Sequence, residues 1–454
     1  MREIGRQHRL RRLAFIGLAA LMAIGVGGAL AATQANAASI KPAAQTGPGG
    51  GLSLSRQFFG QTVEPYTGKE TNVYRYTLRN ARGMSVQILT YGGIVQDIWV
   101  PGRNGRAADV VLGFKTLQDY VNFASPPVTA NGGPYFGEII GRYGNRIAKG
   151  TFSLNQPGVG KVTYTLPINN GVNSLHGGLV GFGNHIWAAQ PIRHRAEVGV
   201  QLTLVSPNGD QAAAAGSPGC PNGCTGYPAT IKVVVTYTLN NANQLAIHYK
   251  TTDLSSNLNT VINLTNHSYF NLAGESSFPG SAYGQLITIN ANRYTPTDTT
   301  QIPLGYQASV FGTPFNFTRP FAMGARIQDV SANFNSPGFN QLLIAQGYDH
   351  NWVLNPQTAA TSGPLGLNLA ARAYDPGSGR QLTVWTDQPG VQFYTSNFLN
   401  GTLTGISGHT YRQGAAYTFE TQHFPNSPNQ PNFPSTELKA GQTAQSTTVF
   451  AFAS

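Results

Sequence analysis

Apolar and polar residues alternate along several short stretches of this chain. Between residues 231 and 239 the odd positions are Ile231, Val233, Val235, Tyr237 and Leu239, and the even ones are Lys232, Val234, Thr236 and Thr238. A period of two puts the first set on a dry face of a strand and the second on a mixed face. Leu245, Ile247 and Tyr249 repeat the alternation directly after Asn240-Asn241-Ala242-Asn243, which reads as a hairpin turn. Shorter strands are expected around residues 85–90, 162–166, 285–289, 381–386 and 391–396. No stretch of helical period follows the N-terminal leader. The elements predict an all-β fold, a large antiparallel β-sandwich.

The leader has its own pattern. Arg2, Arg6, Arg9, Arg11 and Arg12 precede an apolar run over residues 13–31, and Ala35-Asn36-Ala37 follows. A basic start, an apolar stretch and a small-x-small site are the parts of an export signal. Residues 1–37 are therefore expected to be a signal peptide cleaved after Ala37, with an uncleaved anchor as the competing reading. Arg11-Arg12 with Phe15 is also compatible with a twin-arginine route. Residues 38–55, with Gly49, Gly50 and Gly51 in a row, read as a flexible linker. That leaves 56–454 as one β-sandwich domain, exported to the periplasm or beyond the cell.

Composition changes this picture little. Glycine and proline number 54 and 28, which suits many turns and few helices. The net charge of +11 loses five arginines and one glutamate with the leader, leaving +7 on a chain with only 10% charged residues. No Lys/Arg cluster lies beyond the leader, so a nucleic-acid partner is not expected, nor a membrane partner after cleavage. Cys220 and Cys224 stand in Cys220-Pro221-Asn222-Gly223-Cys224. In an exported chain they read as a disulfide, since zinc would need more ligands and no histidine lies nearby in sequence. Residues 206–226 around them, alanine-rich at 211–216, read as an exposed excursion between two strands.

Five segments carry polar groups that a sandwich core would not choose: Gly141-Arg142-Tyr143-Gly144-Asn145-Arg146-Ile147, Asn173-Ser174-Leu175-His176-Gly177-Gly178, Asn263-Leu264-Thr265-Asn266-His267-Ser268-Tyr269-Phe270-Asn271-Leu272, Gly347-Tyr348-Asp349-His350-Asn351, and Phe419-Glu420-Thr421-Gln422-His423-Phe424-Pro425. Strand parity puts His267 with Asn263 and Thr265, opposite Leu264 and Phe270. It turns Glu420 away from Tyr417 and Phe419, and groups Gln392 with Tyr394 and Ser396, opposite Val391 and Phe393. Singly, each has a structural explanation: a turn histidine, a solvated glutamate, an asparagine serving the backbone. Together they are the types a sugar site needs, with amides, Asp and Arg for hydroxyls and an acid and a base for a hemiacetal.

In this order, and with Arg293-Tyr294-Thr295-Pro296, Ile302-Pro303 and Pro389-Gly390-Val391-Gln392-Phe393-Tyr394, the segments closely resemble the aldose 1-epimerase family from about Phe59 to the C-terminus. The resemblance implies a galactose-mutarotase-like supersandwich that binds a free aldose, such as galactose or glucose, on a concave face and interconverts its α and β anomers. By position Glu420 matches the general base, His267 the general acid, and His176 a second histidine near the ring oxygen. Asn145, Arg146, Asp349 and Gln392 match sugar-contacting positions. No metal or cofactor is implied, because a hemiacetal is already labile. Asn426 stands where the family often has Asp, and Ser396 where Gly is frequent, which bears on sugar preference.

The chemistry asks that Glu420 be ionised while His267 is protonated. A bell-shaped rate profile follows, with limbs in the range where Glu and His ordinarily titrate, roughly pH 4 to 8. A non-catalytic carbohydrate-binding sandwich would lack Glu420 or His267. A sugar-phosphate epimerase would need further cations, and Arg146 is the one arginine in the matched sugar-binding positions. A glycoside hydrolase would use two carboxylates flanking the bond, and only Glu420 and Asp349 stand out.

Overall fold

The alternation at 231–239 is realised as the strand Ile231–Asn240, with Ile231, Val233, Val235, Tyr237 and Leu239 all fully buried. It pairs antiparallel with Gln244–Asp253, setting Tyr237 opposite Ile247 and Leu239 opposite Leu245. Asn240 closes the turn by accepting the Ala242 and Gln244 N–H groups on Oδ1. Asn243 adopts the left-handed conformation, φ +56°, that asparagine tolerates. The structure, a computed structural model, describes residues 51–123, 133–277, 281–329 and 340–454.

This hairpin is part of a nine-stranded antiparallel sheet ordered Ala188–Arg193, Glu197–Ser206, Ile231–Asn240, Gln244–Asp253, Thr443–Ala453, Gln381–Thr386, Asn368–Tyr374, Leu286–Ile289, Phe321–Ala322. The last strand of the chain, Thr443–Ala453, sits in the middle of it and joins its two halves. A six-stranded sheet is ordered Tyr269–Phe270, Tyr417–Gln422, Gly390–Tyr394, Asp349–Leu354, Ala291–Thr295, Ala308–Ser309. One of its faces is apolar: Trp352, Val391, Phe393, Tyr417 and Phe419 are buried, and Phe393 stacks on Phe419 at 5.3 Å. They share one core with Val233, Val235 and Ile247 of the large sheet. Leu78, Val86 and Ile98 join it from a five-stranded sheet of Ser53–Glu64, Lys69–Arg79, Ser85–Leu89, Val95–Pro101 and Ala107–Asp109. The other face of the six-stranded sheet presents Asp349, Gln392 and Glu420, because the same parity that buries the aromatics turns these residues outward.

The all-β sandwich agrees with the sequence reading, with four corrections. The segment around His267 is not one strand. Thr260–Val261, Thr265–Asn266 and Tyr269–Phe270 pair with three different partners: Glu437–Leu438, Ile139–Ile140 and Tyr417–Gln422. The segment crosses between layers, so Thr265 and Phe270 are both buried instead of lying on opposed wet and dry faces. Two α-helices occur among the described residues, Leu117–Phe123 and Gln341–Ala345. Neither is long enough to display a 3.6-residue period, and each begins at a side-chain cap, Thr116 accepting from Asp119 N–H and Asn340 from Leu343 N–H. The first strand starts at Ser53, inside the expected linker, because Leu54 pairs with Leu78 and enters the core. The insertion exposes Ala212, Ala214 and Ala215 but buries Asp210, Cys220 and Cys224. The expected leader, 1–37, and linker residues 38–50 lie outside the described residues, and the described residues form one compact unit.

Candidate active site

Glu420 lies on the strand Tyr417–Gln422, directly opposite Gln392 on Gly390–Tyr394, which in turn faces Asn351 on Asp349–Leu354. His267 is fixed from the other side, its N–H donating to Glu138 O at 3.0 Å and its carbonyl accepting from Gly137 N–H at 3.1 Å. These supports bring His267 Nε2 to 3.5 Å from Glu420 Oε1, with both side chains almost completely buried. Thr418 donates to Glu420 Oε1 at 2.9 Å, while Oε2 has no hydrogen-bond partner.

His176 completes the group from a loop. Its ring stands edge-on to His267 at 5.1 Å, and Tyr135 contacts the two rings at 4.7 and 5.7 Å. Asn145 and His176 hold one another: Asn145 N–H donates to His176 Nδ1 at 3.2 Å, and His176 N–H donates to Asn145 O at 3.2 Å. The first bond makes Nδ1 an acceptor and leaves the ring proton on Nε2. Both residues take left-handed backbone, at φ +62° and +49°. Non-glycine residues in this region cost free energy and cluster at functional sites.

The cavity over these groups measures about 760 Å³ and is lined by Asn145, Arg146, His176, His267, Asp349 and Glu420, among others. That volume lies within the roughly 300–1,000 Å³ of small-molecule sites. Six of the seven residues named from the sequence therefore meet in one cavity. Gln392, expected to touch the sugar, does not line it; its Nε2 donates to Asp349 Oδ1 at 2.7 Å, so it holds that carboxylate from behind.

A further residue, missed in the sequence, stands at the centre of the polar wall. Gln301 accepts from an Arg146 NH group and donates from Nε2 to Asp349 Oδ2 at 3.0 Å, while Arg146 and Asp349 approach only to 3.9 Å. Arg146 Nε also donates to Asn170 Oδ1 at 3.0 Å. Asn170, Gln301, Tyr135, Tyr269 and Tyr394 all line the cavity. Gln301 carried no sequence signal, because a glutamine in a Thr/Asp-rich turn reads as solvated.

Burial sets the charge state. It pushes Glu420 up to about 8, with Asp349 adding to the effect and Thr418 and Arg146 opposing it. It pushes His267 down to about 3, and holds His176 well below the usual imidazole range, with His267 and Arg146 adding to it. In the free protein the pair thus carries one proton, and that proton rests on Glu420. The expectation of an ionised glutamate beside a protonated histidine is reversed, because low dielectric disfavours both charges. One ring nitrogen of each histidine and a Glu420 oxygen lie within 4.8 Å of one another. This is also a metal-ligating set, although ligands of a tetrahedral zinc sit closer, roughly 3.4 Å apart for bonds of ~2.0–2.1 Å.

A buried glutamate–histidine pair beside amides, one arginine and one carboxylate on an antiparallel sandwich is the kind of site that suits acid–base chemistry on a sugar. A family model of aldose 1-epimerases matches residues 74–451. The chain belongs to the aldose 1-epimerase family. It is 40% identical over 401 residues to the galactose mutarotase of Bos taurus, covering 88% of this chain and 99% of that one. It is 31% identical over 379 residues to the aldose 1-epimerase of Escherichia coli, covering 83% and 94%. Among solved structures, the galactose 1-epimerase from Lactobacillus acidophilus superposes with a TM-score of 0.66 at 25% identity, covering 88% of this chain and 99% of that one.

Two outcomes follow. The one-proton pair persists between the two titrations. Below about 3 His267 gains a second proton and no base remains, whereas above about 8 Glu420 loses its proton and no acid remains. The pH profile of kcat/KM should therefore be a broad plateau with its alkaline midpoint near 8, wider than the sequence alone suggested; an alkaline midpoint near 6 would contradict it. Gln301→Leu removes two hydrogen bonds to charged groups, each worth about 1.5–3 kcal/mol. KM for the sugar should rise at least about ten-fold, with a smaller change in kcat, in steady-state polarimetry.

Proposed function

We propose that this protein interconverts the anomers of free hexoses such as galactose and glucose, with Glu420 as general base and His267 as general acid. The observation that carries the proposal is the 3.5 Å approach of these two buried side chains on the floor of a sugar-sized cavity, in a chain related over most of its length to galactose mutarotases. Glu420 takes the proton of the C1 hydroxyl as the C1–O5 bond breaks and the C1 carbonyl forms; the ring oxygen takes its proton from His267. Rotation about C1–C2 presents the other carbonyl face. Closure returns the proton from the ring-oxygen hydroxyl to His267 and the proton of Glu420 to O1, so the enzyme ends as it began.

Arg146, Asn145 and Asp349 hold the remaining hydroxyls, and His176 donates its Nε2 proton toward the ring oxygen. Arg146 is the only lysine or arginine among the described residues lining the cavity, and it is engaged with Asn170, Gln301 and Asp349. This favours a neutral sugar over a sugar phosphate. It retains both Glu420 and His267, which favours an enzyme over a binding module.

The test is polarimetry on freshly dissolved α-D-galactose and α-D-glucose. Wild type should speed anomeric equilibration, and Glu420→Gln, which keeps shape but cannot accept the proton, should lose about 10²–10⁴-fold of the catalysed rate. A Glu420→Gln rate equal to wild type would remove the base assignment. We further propose that the protein is exported by its N-terminal leader. Mass spectrometry of the protein released by its native host should find Ala38 at the N-terminus; an intact Met1 on an extracted membrane fraction would mark an anchor instead.

A further inference from the structure

The insertion between the strands Glu197–Ser206 and Ile231–Asn240 takes no part in the chemistry above, yet it grips the loop that carries His176 at both ends. At the near end, Thr165 and Thr225 exchange backbone-to-hydroxyl bonds at 2.8 and 3.0 Å. Gly226 N–H donates to Thr165 O at 3.0 Å, and Ile168 N–H donates to Gly219 O at 2.8 Å. The last contact is backbone on backbone, since a Cβ on Gly219, at φ +71°, would fall 2.6 Å from Ile168 O. At the far end the amide of Gln211 pairs with Val180 as a neighbouring strand would, donating to its carbonyl at 2.6 Å and accepting from its N–H at 3.1 Å.

Between the two grips Asn169 closes the loop on itself, donating to Leu175 O and Gly178 O, each at 2.9 Å, and accepting from Leu175 N–H at 2.7 Å. His176 lies inside that closure. The insertion is rooted through Asp210, which accepts from Tyr66 Oη at 2.7 Å and Ser206 Oγ at 2.5 Å and faces Arg142 at 3.9 Å. Beyond Asp210 the chain is mostly Ala, Gly and Pro and has little apolar bulk to hold a shape. The Cys220–Cys224 disulfide and the paired bonds between Ala213 and Cys224 supply it, fixing Gly219 relative to Gln211.

We propose that this disulfide-closed insertion is a positioning element for His176. It rests on the assignment of His176 to the reaction, and the experiment separates the two. Kinetics are measured for Cys220→Ser/Cys224→Ser and for Gln211→Ala, each in the wild-type and in a His176→Asn background, at a temperature well below every variant's melting midpoint. Misplacing a reacting group by 1 Å can cost about 10²-fold. The double cysteine variant should lose about ten-fold in kcat, with a smaller rise in KM, and Gln211→Ala should move the same way. In the His176→Asn background the same changes should cost less than about two-fold, since coupled residues are non-additive. Equal losses in both backgrounds, or an unchanged kcat without the disulfide, would overturn the proposal. If His176→Asn alone matches wild type, it is the assignment of His176 that fails.

Discussion

One proton shared between two buried groups is the constraint on which the site depends. In water an imidazole outcompetes a carboxylate for that proton. Here burial reverses the order, raising Glu420 to about 8 and lowering His267 to about 3. The neutral pair, acid glutamate and free histidine, is also the protonation state of the proposed open-chain complex. The free protein therefore rests in the state complementary to the reactive aldehyde. Binding of a closed sugar must favour the charge-separated pair instead. The cationic Arg146, which stabilises an ionised Glu420, and the sugar's own hydroxyls are the groups placed to do so. A low-dielectric site makes each such dipole count for more than it would in water.

Holding charges and amides in this state is a burden on the fold, because an unpaired buried polar group costs about 1–3 kcal/mol. Glu420 Oε2, Gln392 Oε1 and both polar atoms of Asn351 and Gln422 lie buried without partners in the protein. The strands beneath offset that cost. Most of the alternate residues on them, Trp352, Val391, Phe393, Tyr417 and Phe419, belong to a continuous apolar core of three sheets beneath the polar row. A strand of period two can satisfy both demands at once, which is why the site sits on the face of a sheet.

That division also explains what could be read from the chain. Residues borne by strands were legible in kind, and two of them in direction: Glu420 opposite Phe419 and Gln392 opposite Phe393. Residues whose placement depends on tertiary partners were not. The His267 segment pairs with three partners in turn, which alternation cannot express. Gln392 shares the face of Asp349 and Glu420 but is buried and does not line the cavity, a matter of depth and not of parity. The two departures from the family pattern turn out to be backbone positions: Asn426 and Ser396 adopt φ +59° and +51°. Asn426 also accepts the Ala148 N–H at 3.0 Å, two residues from Arg146. Their effect on the site runs through loop geometry, not direct contact with a sugar hydroxyl.

The site thus has two halves with different means of support. Glu420, Asp349 and Gln392 stand on strands whose ladders fix them, and His267 is held by the backbone of residues 137 and 138. Asn145, His176 and Gln301 stand on loops and Arg146 on a two-residue strand, Arg146–Ile147, paired only with Ser174–Leu175, so side chains must supplement or replace a ladder: Asn169 across the His176 loop, Asn170 on Arg146, Asn173 onto Thr300 O at 3.0 Å, and Asn426 beneath Ala148. Asparagine suits this work because its short amide both donates and accepts and tolerates the left-handed backbone these turns require. The abundance of asparagine in 145–173, which as sequence reads only as turn propensity, is in the fold the framework of the loop-borne half. Such a framework is stiff only if its outer edge is fixed, and around His176 that edge is the insertion closed by Cys220 and Cys224.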